Sequence, residues 1–124
     1  MSSRVPSIRV TAMPADLNPY GGVFGGWIMS QMALAAGSLA SRHARGKAVV
    51  IAADDLRFPG AMTLGDELSC YPVIEKQGTS SMTIAVEAIA RERDGETETR
   101  VASGRFTFVA IGADGKKREI TPTV

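Results

Sequence analysis

One stretch of this chain, residues 24–42, is a helix candidate with almost no polar face. It mixes Trp, Ile, Met and Leu with a set of alanines, and it carries no Asp, Glu, Lys or Arg before Arg42. A surface helix usually shows one apolar stripe, whereas this one is apolar around most of its circumference. We therefore predict a helix over Phe24–Arg42 that other structure covers. Arg42, His43 and Arg45 complement the negative end of its dipole, and Gly46 is placed to close it.

The segments around this helix show the alternation of apolar and polar residues that is typical of β-strands. Strands are predicted at about Val5–Met13, Ala48–Phe58, Glu67–Lys76, Ser80–Arg91 and Thr97–Ile111. The loop at residues 14–22 holds two prolines and two glycines, which disfavour regular structure there. The charged tail after Gly115 is expected to fray.

This order of elements predicts a single α+β domain over residues 1–124, with one antiparallel sheet wrapped around one long central helix. We expect the four strands that follow the helix to form a meander. One small sheet cannot cover an apolar helix completely, and its outer strands leave open edges. We therefore also expect the chain to form a homodimer.

Composition argues against several classes of function. The chain has 124 residues and a formal net charge of +1, which gives no electrostatic reason to expect nucleic acid or an anionic membrane as a partner. Cys70 is the only cysteine and His43 the only histidine, so the sequence predicts neither an intrachain disulfide nor a metal site. A cytoplasmic location is expected, because the N-terminal residues lack the apolar core of a signal peptide.

The segment 18–27 is the best candidate for a functional site. Four glycines, Gly21, Gly22, Gly25 and Gly26, lie before or at the start of the apolar helix. The first backbone N–H groups of a helix have no partner within it, so such an end can bind an anion or a developing oxyanion. Taken alone, glycine pairs are explained more simply by a turn and by close packing of helix on sheet.

Together with the residues that follow, this segment resembles the short bacterial acyl-CoA thioesterases of the hotdog-fold superfamily. The resemblance rests on Asn18–Met32, above all on Gly25-Gly26-Trp27-Ile28-Met29-Ser30-Gln31-Met32, and continues through Asp54, Phe58, Gly65-Asp66 and Lys76–Ser81. It implies a hotdog fold and an acyl-CoA substrate, with no cofactor beyond the coenzyme A of that substrate. It also implies a homodimer with two active sites at its interface, often assembled as a trimer of dimers.

The chain departs from the family's pattern at two acids. The family usually has a catalytic Asp or Asn where this chain has Gly22, and many relatives have an Asp in the helix where this chain has Ala33. What the resemblance retains is the set of backbone donors around Phe24, Gly25 and Gly26, which in the family polarises the thioester carbonyl. The group that activates water is the part that is missing.

Asp54 is the best remaining candidate for that role, because it matches an acidic position common in the family. Strand alternation places it on one face with Val50 and Ala52. A structural acid, hydrogen-bonded to backbone or to a partner chain, is the simpler alternative. Asp55 shares its face with Arg57 and is expected to pair with it.

The other candidates each have a structural and a functional explanation. Asn18 either caps its loop, which we favour, or positions water, and Trp27 either packs in the core or interface or lines the acyl pocket. The turn at residues 78–81 resembles the family's turn near the pantetheine and phosphates, and a plain hairpin turn explains it nearly as well. The candidate catalytic residues are Asn18, Gly25, Gly26 and Asp54, and the candidate substrate-binding residues are Gly22, Phe24, Trp27, Arg57, Gly78, Thr79, Ser80 and Ser81.

Two functions follow from these observations. The first is hydrolysis of acyl-CoA to a free acid and coenzyme A. The second is binding of acyl-CoA or an acyl carrier without catalysis, which the loss of acids at Gly22 and Ala33 favours. A hotdog dehydratase is disfavoured, because its catalytic histidine would have to be His43, which lies at the wrong end of the helix. Cys70 has no base nearby in the sequence and is expected to be inert packing.

Overall fold

The computed structural model describes residues 4–120. One helix and five strands follow the chain in the order β1 (Ile8–Thr11), α1 (Gly25–Ala44), β2 (Ala48–Arg57), β3 (Glu67–Gln77), β4 (Ser81–Arg91) and β5 (Glu98–Ala110), with a short 3-10 turn at Pro14–Asp16. All strand pairs are antiparallel and form one sheet, in the order β1-β3-β4-β5-β2. The predicted α+β architecture, with one sheet around one long helix, is confirmed.

The expected four-strand meander is wrong for β2. Strands β3, β4 and β5 do follow one another across the sheet, but β2 pairs with β5 at the far edge, where Val50 lies opposite Phe108. Alternation within a strand shows which residues share a face and carries no information about which strand lies beside it. The helix connects β1 at one edge of the sheet to β2 at the other.

The core lies between α1 and the inner face of the sheet. The predicted alternation of β4 is confirmed, because every second residue from Met82 to Ala90 is buried. The helix meets these residues with small side chains, which let its backbone approach the strands closely. Its buried residues are Ile28, Met32, Ala35, Ala36, Ala40 and Ala44.

The helix ends two residues later than predicted and with a different residue in the closing position. Arg45, rather than Gly46, takes the left-handed conformation at the C-cap, with φ of 55°. The guanidinium of Arg118 donates a hydrogen bond to the carbonyl oxygen of Ala44 at 2.6 Å. This contact satisfies one of the last carbonyl groups and sets a positive charge at the negative end of the helix dipole.

Two bulges interrupt the alternation of β2. One lies between Val50 and Ala52 and the other between Asp54 and Arg57. Val50 therefore lies opposite the buried Phe108, whereas Ala52 lies opposite Thr107 on the other face of the sheet. The prediction that Val50, Ala52 and Asp54 share a face is wrong, because an inserted residue moves the following side chains to the opposite face.

The segment after β5 is ordered up to residue 120, so the expected fraying is wrong for its described part. Ile120 is buried in the core, and its N–H donates to the carbonyl oxygen of Thr79 at 2.9 Å. Lys117 forms a bridge with Ile111, which turns the segment back along the sheet. A single large apolar residue thus anchors a stretch whose composition is otherwise charged.

The side of α1 that faces away from the core is open and continues onto β2. Leu34 is 59% exposed, and Val49, Val50 and Ile51 of β2 are exposed beside it. Leu34, Val49 and Val50 contribute to a groove of about 830 Å³ along the outer side of α1. Within residues 4–120, no helix is long and apolar enough to cross a membrane.

Candidate active site at the N-terminus of the helix

The loop before α1 is shaped by the side chain of Asn18. Its Oδ1 accepts hydrogen bonds from the backbone N–H of Tyr20 at 2.8 Å and of Gly22 at 3.2 Å. The backbone of Asn18 also bonds Gly22, through its N–H and the Gly22 carbonyl oxygen at 2.7 Å. The predicted loop-capping role of Asn18 is therefore confirmed.

Further hydrogen bonds fix the direction in which the chain enters the helix. The N–H of Phe24 donates to the carbonyl oxygen of Asp16 at 2.8 Å, and the N–H of Val23 donates to Met62 at 3.3 Å. Phe24 is the N-cap residue and provides no side-chain cap. Within residues 4–120, no hydrogen-bond acceptor meets the N–H groups of Gly25 and Gly26. Two backbone donors at the positive end of the helix are thus available to a ligand.

Two phenyl rings flank these donors. A Cβ placed on Gly25 would lie 3.6 Å from Cε1 of Phe58, and one placed on Gly26 would overlap the ring of Phe24. Phe24 is 55% exposed and Phe58 is 45% exposed. Because Gly25 and Gly26 have no side chains, the rings of Phe24 and Phe58 can lie close to the start of the helix. The two rings do not enclose it completely.

A groove of about 480 Å³ begins at Gly26 and runs between α1 and β2. Helix α1 lines the groove with residues about one turn apart, and β2 lines it with small and aliphatic residues. The lining is Gly26, Met29, Ser30, Ala33, Val50, Ile51, Ala52, Ala53 and Phe106. Since no lining residue is charged, the groove suits an apolar chain.

Asp54 does not face this groove. It is exposed and lies opposite Arg105 in the β2–β5 ladder. Residues directly opposite in an antiparallel ladder project to the same face, and Arg105 hydrogen-bonds Asp55 and Glu75 on the outer face of the sheet, away from α1. Within one chain the structure therefore separates Asp54 from the Gly25 and Gly26 donors.

Asp55, the neighbour of Asp54, is held in an ion-pair network. Its carboxylate lies 2.9 Å from Arg57, as predicted, and 2.6 Å from Arg105, which also lies 2.7 Å from Glu75. The hydrogen bond and charge of Arg57, and then Arg105, hold the pKa of Asp55 below its usual value. Asp55 has a left-handed φ of 50° at the bulge. Arg57 is thus engaged on the outer face of the sheet and is not part of the groove.

The turn at residues 78–81 lies at the opposite end of the helix from Gly25. The N–H of Gly78 donates to the carbonyl oxygen of Ser81 at 2.9 Å, which closes the turn between β3 and β4. Gln77 lies beside His43, in the last part of α1, with 2.6 Å between Oε1 and Nε2. The structure therefore does not bring Gly78, Thr79, Ser80 and Ser81 together with the Gly25 donors of the same chain.

Trp27 and Cys70 are packing residues. Trp27 is partly buried against the core and does not line the groove. Cys70 is fully buried, and burial raises the pKa of its thiol to about 12. The expectation that Cys70 is inert is in line with this environment. Among residues 4–120, no group of three or more His, Cys, Asp or Glu side chains is arranged to hold a metal ion.

Some residues of the groove are absent from the sequence-based candidates. Met29, Ser30 and Ala33 follow Gly26 at spacings of three, four and seven, which places them on one side of a helix. This periodicity is a signal that could have identified them. Phe58, which lies beside Gly25, comes directly after the second β2 bulge, and the sequence does not reveal that bulge.

Comparisons with known proteins agree with this geometry. Residues 20–96 match the family model of the thioesterase superfamily. An uncharacterised acyl-CoA thioester hydrolase of Zymomonas mobilis is 44% identical over 117 residues, which are 94% of this chain and 78% of that protein.

Two solved structures resemble the chain closely. A hexameric hotdog-fold thioesterase of Campylobacter jejuni has a TM-score of 0.89 and 35% identity, over 94% of this chain and 90% of that one. An acyl-CoA hydrolase of Staphylococcus aureus, solved with butyryl coenzyme A, coenzyme A and coenzyme A disulfide, has a TM-score of 0.84 and 26% identity, over 94% and 73% of the two chains. The hotdog fold expected from the sequence is confirmed.

Proposed function

Because this chain belongs to the thioesterase superfamily, we infer that it is an acyl-CoA thioester hydrolase. The observation that carries this conclusion is the pair of N–H groups at Gly25 and Gly26, which have no acceptor among residues 4–120 and lie where an uncharged groove begins at Gly26. Donors at a helix N-terminus stabilise negative charge on an oxygen. The groove beside them provides a surface for the acyl chain.

In the proposed reaction the thioester carbonyl oxygen accepts hydrogen bonds from Gly25 and Gly26. Water adds to the carbonyl carbon, and the oxygen gains negative charge that these donors stabilise more strongly than the neutral carbonyl. When the tetrahedral intermediate collapses, the C–S bond breaks and the carbonyl is restored. One proton of the water leaves with the sulfur as the thiol of coenzyme A, and the oxygen stays in the carboxylic acid. No metal or redox cofactor takes part in this proposal.

The proposal assigns the activation of water to a group from a second chain. Asp54 remains the candidate base, and its exposed position on the edge strand β2 lets it reach a site completed by another copy. Replacing Asp54 with asparagine should lower kcat by about 10²–10⁴-fold if it removes the proton from water. A kcat within twofold of the wild-type value would exclude this role for Asp54.

We propose that the chain forms homodimers and that three of these assemble as a trimer of dimers. The apolar surface of α1 and the free edge of β2 support the dimer, because both leave groups that a second copy can cover. The hexameric state of the Campylobacter jejuni neighbour supports the larger assembly. Light scattering at micromolar concentration tests this, and a mass of 13.1 kDa, that of the single chain, would contradict it. A cytoplasmic location stays a prediction.

The proposed function is tested by replacing Gly25 with proline. Gly25 is the first residue of α1, a position at which proline fits the helix but provides no N–H. The extended N-cap conformation of Phe24, with φ of −66° and ψ of 127°, is compatible with a following proline. We expect Gly25→Pro to lower kcat by about 10²–10³-fold, since that is the usual effect of losing one oxyanion donor.

Gly25→Ala is the matched control. It keeps the N–H and adds a Cβ 3.6 Å from Phe58, an ordinary contact. We expect its kcat to stay within a few-fold of the wild-type value. Release of thiol from acyl-CoA measures both variants. Equal rates for Gly25→Pro and Gly25→Ala would contradict the role of this donor.

Binding without hydrolysis is the second candidate function, and one observation favours it. Gly22 and Ala33 provide no carboxylate at the two positions where the resemblance implies one, and Asp54 faces away from the donors of its own chain. A wild-type protein that binds acyl-CoA in calorimetry and releases no thiol would support this second function.

A further inference from the structure

The second bulge of β2 sets two residues of that strand opposite one residue of β5. Asp54 pairs with Arg105 and Arg57 pairs with Ser103, so only position 104 of β5 lies opposite the two residues between them. Two residues opposite one is the geometry of a β-bulge, and such an insertion reverses the alternation of the side chains that follow. The side on which the end of β2 projects its residues therefore depends on this bulge.

Asp55 is the residue of the bulge with an unusual backbone. Its φ of 50° lies in the left-handed region, which is unfavourable for residues other than glycine, although a short polar side chain such as aspartate tolerates it better than most. On the outer face of the sheet its carboxylate lies 2.9 Å from Arg57 and 2.6 Å from Arg105, which is itself 2.7 Å from Glu75. A network of this kind stabilises more than an isolated exposed ion pair does. The network therefore supports the left-handed backbone at Asp55.

Leu56, the next residue, projects to the opposite face and enters the core. It is partly buried and packs against the buried residues there. A Cβ placed on Gly104 would overlap Cδ2 of Leu56 and would lie 3.6 Å from Cε of Met32, a buried residue of α1. Leu56 thus occupies the space that a side chain at position 104 would need. The inward turn of the bulge and the glycine opposite it are matched to each other.

The bulge also determines the face on which Phe58 lies. Extended residues two apart project to the same side, so Phe58 follows Leu56 to the helix side, where Cε1 of its ring lies 3.6 Å from the Cβ position of Gly25. Without the inserted residue, Phe58 would share the face of Asp54, which is the outer face of the sheet. The left-handed backbone at Asp55 therefore brings an aromatic ring to the Gly25 donor.

We propose that Asp55 is a positioning residue of the active site, whose ion pairs on the outer face of the sheet hold Phe58 beside the Gly25 donor on the helix side. The proposal rests on the proposed function. The ring of Phe58 covers one flank of this donor, and a hydrogen bond to a developing oxyanion is stronger where water is excluded. Neither Asp55 nor Phe58 lines the groove that begins at Gly26. Loss of the ion pairs should therefore lower kcat and leave KM nearly unchanged.

The test compares alanine and glycine at position 55, with thiol release from acyl-CoA as the assay. Asp55→Ala removes the ion pairs and leaves a left-handed residue without support. We expect it to lower kcat by about 5–30-fold, the factor that corresponds to the cost of a left-handed residue other than glycine. Asp55→Gly also removes the ion pairs, but glycine adopts this backbone freely, so its kcat should stay within about threefold of the wild-type value. Equal losses in the two variants, or no loss in Asp55→Ala, would overturn the proposal.

Arg105→Gln carries the same comparison if Asp55→Ala does not fold. It should lower kcat, and adding Asp55→Gly should restore it, because glycine needs no ion pair; a loss that glycine does not restore would overturn the proposal. Glu87→Ala is the matched control, since Glu87 also holds ion pairs on the outer face, with Arg4 and Arg100, but has no left-handed backbone. We expect its kcat to stay within about twofold of the wild-type value. A loss as large as that of Asp55→Ala would indicate a general effect of the outer-face charges and contradict the proposal.

Phe58→Leu tests whether the effect of Asp55 passes through the ring. In a Phe58→Leu background, Asp55→Ala should lower kcat by less than about twofold, because the ring that it positions is already absent. The same factor in both backgrounds would overturn the proposal. A crystal structure of Asp55→Ala provides a measurement that does not depend on hydrolysis, and we expect the Phe58 ring to have left Gly25. A ring in the wild-type position would overturn the proposal, whereas a wild-type enzyme that releases no thiol would contradict the proposed function alone.

Discussion

Replacing Gly22 with aspartate tests whether this chain lacks only the group that activates water. Gly22 has a φ outside the left-handed region, and it is Gly21, with φ of 96°, that requires a glycine. A Cβ on Gly22 would have one close neighbour, Nδ2 of Asn18 at 3.6 Å. The new side chain is therefore sterically tolerated, and the Asn18 amide can donate to the new carboxylate and hold it beside the helix entry.

The expected gain follows from general-base catalysis. A positioned base contributes about 10²–10⁴-fold in rate, which corresponds to about 2.7–5.4 kcal/mol of activation free energy. We expect Gly22→Asp to raise kcat by at least tenfold, with a smaller effect on KM. The pH dependence should follow a carboxylate, so the gain should disappear as the pH falls below about 4 and the new side chain becomes protonated.

The assay is release of free thiol from a panel of acyl-CoAs, with Gly22→Asn as the matched control. Asparagine has the size and hydrogen-bonding reach of aspartate but cannot accept a proton at neutral pH. Gly22→Asp should exceed Gly22→Asn, because only the carboxylate can take a proton from the attacking water. Equal rates for the two variants would refute the reasoning, because the gain would then come from geometry and not from a base.

Three further outcomes are expected. Ala33→Leu should reduce turnover of acyl groups longer than about eight carbons and spare butyryl-CoA, because Ala33 lies seven residues, or about 10 Å, beyond Gly26 in the groove. An unchanged chain-length profile would show that the acyl chain does not run along the groove past Ala33. Cys70 should resist maleimide at pH 8 until the protein is denatured, since burial raises the pKa of its thiol to about 12, and rapid labelling of the native protein would contradict this. Ile120→Ala should lower the free energy of unfolding by about 2–5 kcal/mol in urea titrations, whereas a loss under 0.5 kcal/mol would indicate that the tail is not anchored.

The elements could be predicted from the sequence because their apolar periodicity is strong. The helix from Gly25 and the alternating strand from Ser81 agree with prediction within one or two residues. The position of β2 could not be predicted, because its pairing with β5 joins residues far apart in the sequence, such as Val50 and Phe108. Alternation alone does not specify a partner strand.

The candidate site was predictable only in its local part. The donors at Gly25 and Gly26 could be predicted because glycines at the start of a helix are a pattern that spans only a few residues. The face of the sheet on which Asp54 lies could not be predicted in this way, because a single inserted residue in β2 changes the side from which the next side chain projects. The order of the tail up to residue 120 was missed for a similar reason, since the buried Ile120 follows a run of charged residues.

The placement of β2 beside β5 has a consequence for synthesis on the ribosome. The helix and β2 are translated early, yet β5, which pairs with β2, ends at Ala110. At roughly 5–20 residues per second, the 66 residues from Arg45 to Ala110 take several seconds to appear. During that interval the apolar nascent helix has no complete sheet to pack against. The stage at which this chain most needs a chaperone is therefore the middle of its own translation.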